Sequence, residues 1–236
     1  MLFRSGGEVH HMEFERGQTV KKLAVIGKAK GTGTLITFKP DPEIFKETTE
    51  FKFETIAQRL RELAFLNSGL EITFLDERKQ SGEREKYYYK DGVEEFVKQL
   101  NKNKAALHPK VISVRKEQKV TTAEKEVEVH VEVVLQYNDS YNDQVLCYTN
   151  TIHNPDGGAH LSGFRSALTR AINQYAKSNE LLKDKDPQIT GDDVREGLTA
   201  VISVKHSDPK FESQTKVKLI SPEVDGIVGS VTYEGL

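Results

Sequence analysis

The chain has 236 residues, of which 36% are hydrophobic and 30% charged, with one cysteine and a formal net charge of −2. This composition excludes a disordered chain, an intramolecular disulfide, and a protein drawn to nucleic acid by its overall charge, so any such contact has to be a local basic strip. No apolar run approaches the roughly 20 residues of a membrane-spanning helix and no signal peptide opens the chain, so no membrane partner and a reducing, cytoplasmic setting are expected.

In chain order, residues 1–5 show no helical or strand periodicity and run into Gly6-Gly7. His10 to Phe14 and Lys22 to Ile26 read as short strands around the turn Arg16-Gly17-Gln18. Lys30-Gly31-Thr32-Gly33-Thr34 follows, a Gly/Thr turn of the kind where backbone approaches something closely, and then an alternating strand, Leu35 to Phe38, ended by Pro40. Its spacing is neither that of a dinucleotide fingerprint nor that of a P-loop. Phe53 to Asn67 is expected to be a helix burying Ile56, Leu60, Leu63 and Ala64, stopped by Asn67-Ser68-Gly69. Leu70 to Leu75 and Lys86 to Tyr89 read as strands around a charged tip, Lys79 to Glu85.

A domain boundary is placed near Lys90. Beyond it, Asp91-Gly92 opens a helix with Val93, Phe96, Val97 and Leu100 on one face. Two strands follow, Glu126 to Tyr137 with strict Val/charged alternation and Gln144 to Asn150, the latter carrying Cys147 as a buried thiol. After Asp156-Gly157-Gly158 a helix runs to about Lys177, with Leu161, Phe164, Leu168, Ile172 and Tyr175 as its apolar stripe. Gly191 to Glu196 is a short helix with acids at its N-terminus, Leu198 to Lys205 a strand, and Ser207 to Leu219 a loop. Ser221-Pro222-Glu223 has the form of a helix start, with serine as N-cap. The pattern is α+β: two units of strands and packed helices.

Few residues suggest chemistry on their own. His10 and His11 point to opposite faces of a strand, and His153 and His160 lack ligand spacing, so no metal site is expected. Asp192, Asp193 and Glu196 are explained by helix capping. The helix after Gly158 carries Arg165, Arg170 and Lys177 on a polar face, which fits either a phosphate track or a solvated surface. The stretch 211–218, with Gln214, Lys216 and Lys218, fits either a phosphate-reaching loop or an ordinary one.

Five stretches together resemble the gyrase B family of type IIA DNA topoisomerases: RLRELAFLNSG at 59–69, LNKNK at 100–104, DGGAHLSGFRSALTRAIN at 156–173, TGDDVREGLTAVISVK at 190–205 and DPKFESQTKVKL at 208–219. They occur in the family's order, and the resemblance runs from Val9 to Val224. It implies that residues 1–90 are the C-terminal part of a GHKL ATPase sandwich. Residues 91–221 would then be a transducer domain with a ribosomal-protein-like fold and a left-handed βαβ crossover, and 222–236 the start of a helix toward a topoisomerase-primase domain. Both ends read as interrupted, so the chain is expected to be an internal piece.

The resemblance further implies that Thr34 lies near the adenine of ATP and that Gln214 and Lys216 reach its γ-phosphate, with Lys216 as the sensor. Arg165, Arg170 and Lys177 would face DNA. ATP and Mg²⁺ are the implied ligands of the full-length enzyme, and none is expected to bind tightly here. The gyrase A chain, double-stranded DNA and a second copy of the full-length protein are the implied partners. The implied role is to couple ATP binding and hydrolysis to strand passage and negative supercoiling, while this chain alone is expected not to hydrolyse ATP. The B-type component of topoisomerase IV, and a stand-alone transducer-like binding module, are the alternatives.

Overall fold

The computed structural model describes residues 1–78, 83–122, 125–183 and 185–236. Their contacts divide into two compact units, 1–53 and 54–236.

The first unit is an antiparallel sheet of four strands, β1 (Leu2–Ser5), β2 (Glu8–Glu15), β3 (Gln18–Lys28) and β4 (Gly33–Leu35), in the order β3-β2-β1-β4. Gly6 and Gly7 (φ 61° and 81°) make the first hairpin turn, and Arg16 and Gly17 (φ 47° and 80°) the second. Both positions of each turn therefore have the positive φ that matches the twist of a two-residue hairpin. The strand β1, absent from the periodicity, forms because Gly6-Gly7 folds it back onto β2, pairing Phe3 with His10. The expected strand from Leu35 to Phe38 is shorter than its alternation suggests: β4 pairs only with Leu2 to Arg4, and its ladder ends where β1 ends. Arg16 holds the following segment through Asp41 (2.6 Å) and Glu43 (3.0 Å). Phe14, Leu23 and Val25 of the sheet, and Ile36 and Phe38 just beyond it, are each more than half exposed, so the unit leaves apolar side chains open.

The second unit contains α1 (Phe53–Leu66), a hairpin of β5 (Ile72–Asp76) and β6 (Glu83–Tyr87), α2 (Val93–Leu100), β7 (Ile112–Thr121), β8 (Glu126–Tyr137), β9 (Gln144–Thr149), β10 (Ile152–His153), α3 (Ala159–Ser178), α4 (Gly191–Arg195), β11 (Leu198–His206) and α5 (Pro222–Gly235). The charged tip between β5 and β6 falls largely outside the described residues. Five strands form one sheet in the order β10-β9-β11-β8-β7. Strand β11 runs antiparallel to β8 and parallel to β9, with α3 and α4 on the parallel connection.

Layering follows from alternation. Along β8, Val127, Val129, Val131, Val133 and Leu135 pack with Leu198, Ala200, Ile202 and Val204 against Phe164 and Leu168 of α3 and Ile227 and Val228 of α5. Val134 and Val201 turn to the opposite face, against Val93, Phe96 and Val97 of α2 and Phe65 of α1. The sheet is therefore covered on both faces, and β11 is buried along almost its whole length. Strand β7 was not legible as a strand: it is the edge, and Arg115, Lys116, Glu117 and Lys119 on it are charges that suit an edge. The LNKNK stretch is structural. Asn101 donates to Gln136 (3.0 Å), Asn138 donates to Asn101 and Thr199, and Lys104 reaches Gln144 (3.1 Å).

Two local readings need correction. The buried stripe of α3 is His160, Gly163, Phe164, Ala167, Leu168 and Ala176, whereas Tyr175 is 62% exposed. Leu161, Phe164, Leu168 and Ile172 of the expected stripe do pack in the core, and Gly163 lets α5 come close: a Cβ there would lie 2.2 Å from the Asp225 carbonyl oxygen. Ser221 occupies the N-cap position of α5 but makes no cap hydrogen bond, because its hydroxyl accepts from the Lys210 N–H at 2.9 Å. The acidic cluster is, as expected, a cap: Thr190 and Asp193 form a reciprocal capping box at the start of α4.

Candidate functional site

The loop 211–219 is shaped by its ends. Phe211 and Leu219 pair across it, and Glu212 N–H donates to the Lys218 carbonyl (3.1 Å). Its tip closes with Lys216 N–H donating to the Ser213 carbonyl (3.1 Å) and the Ser213 and Thr215 hydroxyls joined at 2.6 Å. Gln214 and Lys216 are both exposed there. Lys218 is tied to Glu212 at 3.1 Å, whereas Lys216 makes no ion pair among the described residues and lies 5.8 Å from the centroid of the Phe211 ring. Lys216 has φ 58°, a left-handed conformation that is costly for a residue with a Cβ.

The returning limb of the loop runs alongside the segment before α3. Asn154 Nδ2 donates to the Lys216 carbonyl (2.7 Å), Asp156 N–H to the Val217 carbonyl (3.1 Å), Leu219 N–H to the Gly157 carbonyl (3.0 Å) and Ala159 N–H to the Leu219 carbonyl (2.9 Å). Gly158 makes the approach possible. Its φ of 125° and ψ of −150° lie in a region essentially restricted to glycine. A Cβ there would stand 2.0 Å from the Leu219 oxygen. Beneath the loop, Asn154 Oδ1 accepts from the Thr149 hydroxyl (2.7 Å) and from His160 Nε2 (3.0 Å). His160 Nδ1 accepts from Leu161 N–H (3.0 Å), which places the ring proton on Nε2. Burial pushes the His160 pKa down to about 4, so the ring is neutral. Neither Asn154 nor this role of His160 stood out in the sequence, since the partners lie 6 and 62 residues from Asn154.

Thr34 belongs to the first unit. It sits exposed on β4, paired with Phe3. Arg165, Arg170 and Lys177 share one side of α3 and, with Asn173, Gln188 and Arg195, line an open groove of about 580 Å³. Two of its cations are already engaged: Asp143 lies 3.5 Å from both Arg165 and Arg195. Arg170 stands over the Tyr233 ring at 4.4 Å. Lys177 is exposed. Among the described residues no group of three or more His, Cys, Asp or Glu side chains is arranged to hold a metal ion.

Comparison with known proteins bears on this arrangement directly. The DNA gyrase B family model matches residues 92–236, which contain the whole of the loop, its anchor and the groove. The chain belongs to the DNA gyrase B family. It is 45% identical over 228 residues to the DNA gyrase B protein of Bacillus mycoides, spanning 97% of this chain and 54% of that relative. With the DNA gyrase B protein of Streptococcus pyogenes serotype M3 (strain ATCC BAA-595 / MGAS315) it shares 47% identity over 228 residues, spanning 34% of that relative. The chain thus spans between a third and about half of the length of these curated relatives. Among solved structures, the 43K ATPase domain of Thermus thermophilus gyrase B, in complex with an aminocoumarin, superposes with a TM-score of 0.74 at 41% identity, over 99% of this chain and 60% of that one. The topoisomerase IV ATP-binding domain of Francisella tularensis, in complex with a small-molecule inhibitor, gives 0.78 at 26% identity, over 99% and 61%. The mixed α/β fold is the one found in gyrase B ATPase-region structures.

Proposed function

We propose that this chain is the part of a gyrase B protein that joins the end of the GHKL ATPase domain to the transducer domain, and that Lys216, with Gln214, senses the γ-phosphate of ATP. In this reading residues 1–90 complete the ATPase sandwich, 91–221 form the transducer with the β9–α3–β11 connection as its left-handed crossover, and 222–236 lead toward a topoisomerase-primase domain. The contact-based division after residue 53 arises because Phe65 of α1 stacks on Tyr89 and Phe96, at 3.7 and 4.9 Å between centroids. Thr34 is assigned to the nucleotide. The exposed apolar side chains of the first unit are the surface that the rest of an ATPase sandwich covers, and an isolated chain with them open is expected to aggregate and to lack ATP hydrolysis.

The observation that carries the reading is the state of Lys216: exposed, without an ion pair among the described residues, and held in a left-handed backbone at the tip of an anchored loop. Such a lysine contributes a charge-assisted hydrogen bond to a phosphate oxygen only while that oxygen is present. Loss of the γ-phosphate then releases the loop, a ligand-biased two-state movement. Lys216→Ala in the full-length protein is expected to lower ATP turnover at least several-fold, and unchanged turnover would refute the assignment. The groove on α3 is assigned to double-stranded DNA, with Arg170 and Lys177 as its available cations, in a cytoplasmic assembly of two such proteins with two gyrase A chains. The likeness to a topoisomerase IV domain favours a second reading, the B-type component of that enzyme. Supercoiling versus decatenation by the reconstituted enzyme separates the two.

A further inference from the structure

We propose that Asn154 is a positioning residue for Lys216: its carboxamide holds the Lys216 carbonyl and, through His160, fixes the lysine to the first turn of α3. The proposal rests on the reading of Lys216 as a γ-phosphate contact. A left-handed backbone at a residue with a Cβ persists only where its surroundings over-determine it. At Lys216 the determinants are two hydrogen bonds, N–H to the Ser213 carbonyl at 3.1 Å and C=O from Asn154 Nδ2 at 2.7 Å. The first lies within the tip itself. The second reaches outside the loop and, with the Asp156 N–H on the next carbonyl, that of Val217, fixes the backbone from which the lysine side chain projects.

Asn154 is suited to that task because its amide cannot turn over. It is 1% exposed, and its Oδ1 faces two donors, the Thr149 hydroxyl and His160 Nε2. Flipping the amide would set Oδ1 against the Lys216 carbonyl oxygen, which can only accept, and Nδ2 against the His160 Nε2 proton. The proton on His160 Nε2 is in turn fixed by the Leu161 N–H that occupies Nδ1. Thr149 and His160 are both fully buried. The buried polar atoms from His160 through Asn154 to the Lys216 carbonyl are thus all hydrogen-bonded, and a satisfied buried network is rigid. His160 belongs to α3, the helix whose outer side carries Arg165, Arg170 and Lys177. Movement of the Lys216 carbonyl toward or away from a phosphate therefore pulls on the end of the helix that lines the groove.

The test measures how tightly a non-hydrolysable ATP analogue and ADP are held by the full-length protein and its variants. Asn154→Ala is expected to weaken the analogue about tenfold while changing ADP less than about twofold, because only the analogue carries the γ-phosphate. Thr149→Val, which leaves the Asn154–Lys216 bond in place, is expected to keep the parent's preference for the analogue. If Asn154→Ala fails to fold, Asn154→Asp carries the test: it keeps oxygen acceptors for Thr149 and His160 but has no donor for the Lys216 carbonyl. An Asn154 variant with the parent's preference overturns the proposal, and so does one that weakens analogue and ADP alike, which would mark general damage to the fold. Lys216→Ala serves as the reference. If it retains the preference, the γ-phosphate reading itself fails and the role of Asn154 goes with it, whereas loss in Lys216→Ala without loss at Asn154 removes the anchor alone.

Discussion

Gly158→Ala attacks the point where the loop 211–219 meets α3. The added Cβ would fall 2.0 Å from the Leu219 oxygen and 2.7 Å from its nitrogen, both backbone atoms. Leu219 would have to retreat by about 1.4 Å to restore ordinary contact, breaking the bonds it makes with Gly157 and Ala159. Each such bond contributes about 1 kcal/mol net, and placing alanine in a glycine-only backbone region costs about 1–3 kcal/mol more. The substitution should therefore destabilise the fold by about 3 kcal/mol or more. With a urea slope of about 2 kcal/mol/M the unfolding midpoint should drop by about 1.5 M. Gly157→Ala is the internal comparison. Its new Cβ meets only the Leu161 side chain, 2.4 Å from Cδ2, which rotation relieves, and 3.0 Å from Cβ, which needs a shift of a few tenths of an ångström. Its cost is mainly that of a left-handed alanine, about 1–2 kcal/mol. Amide exchange at Leu219 and Ala159 should accelerate in Gly158→Ala before global unfolding. Equal midpoints for the two variants, or a Gly158→Ala midpoint matching the parent, would show that loop and helix are not joined as described.

Three further outcomes are expected. His160 has a pKa lowered to about 4 against an ordinary 6.5, so the unfolded chain takes up a proton that the folded one refuses. Its contribution, on the order of 3 kcal/mol, is complete above the unfolded pKa and lost as pH falls from there toward the folded value. His160→Gln should flatten the stability–pH curve in that window, and an unaltered curve would contradict the burial. Cys147 is 2% exposed with its thiol pushed up to about 12 by burial, so it should resist iodoacetamide at mild alkaline pH until denaturant is added; native labelling at the rate of a free thiol would place it elsewhere. In the full-length protein Lys177→Ala should reduce the salt dependence of DNA binding, lowering the log–log slope by about 0.9, and an unchanged slope would mark Lys177 as solvated surface.

What is legible in the sequence is what burial writes into periodicity. The alternation of β8 and the stripe of α2 name their elements because one face of each is covered, whereas on α1 the expected Ile56, Leu60 and Leu63 are only half-buried and Phe53, Ala57, Ala64, Phe65 and Leu66 are the buried residues. Strand β7 escapes because an edge strand has charges where a central one has valine, and β1 because four residues are too few to show a period. Tyr175 falls on the apolar stripe by spacing yet stands exposed, because helical spacing gives a face but not how far along the helix that face is covered. At the site, the family resemblance points to Gln214 and Lys216, while residue chemistry alone leaves the loop open. Asn154 stays hidden because its meaning lies in partners far along the chain. An isolated asparagine between histidine and proline reads as a turn.

The notch at Gly163 reaches beyond packing. A backbone carbonyl of α5 occupies the space where any other residue would begin its side chain, and Gly229 stands opposite, a Cβ there falling 3.6 Å from the Gly163 oxygen. At position 163 not even a methyl group can be gained at that crossing without α5 first withdrawing. Mutational drift along α3 and α5 is therefore shared: in a saturation library position 163 should admit no substitution at all, whether selection acts on nucleotide, on DNA or only on folding. The two helices inherit change together or not at all.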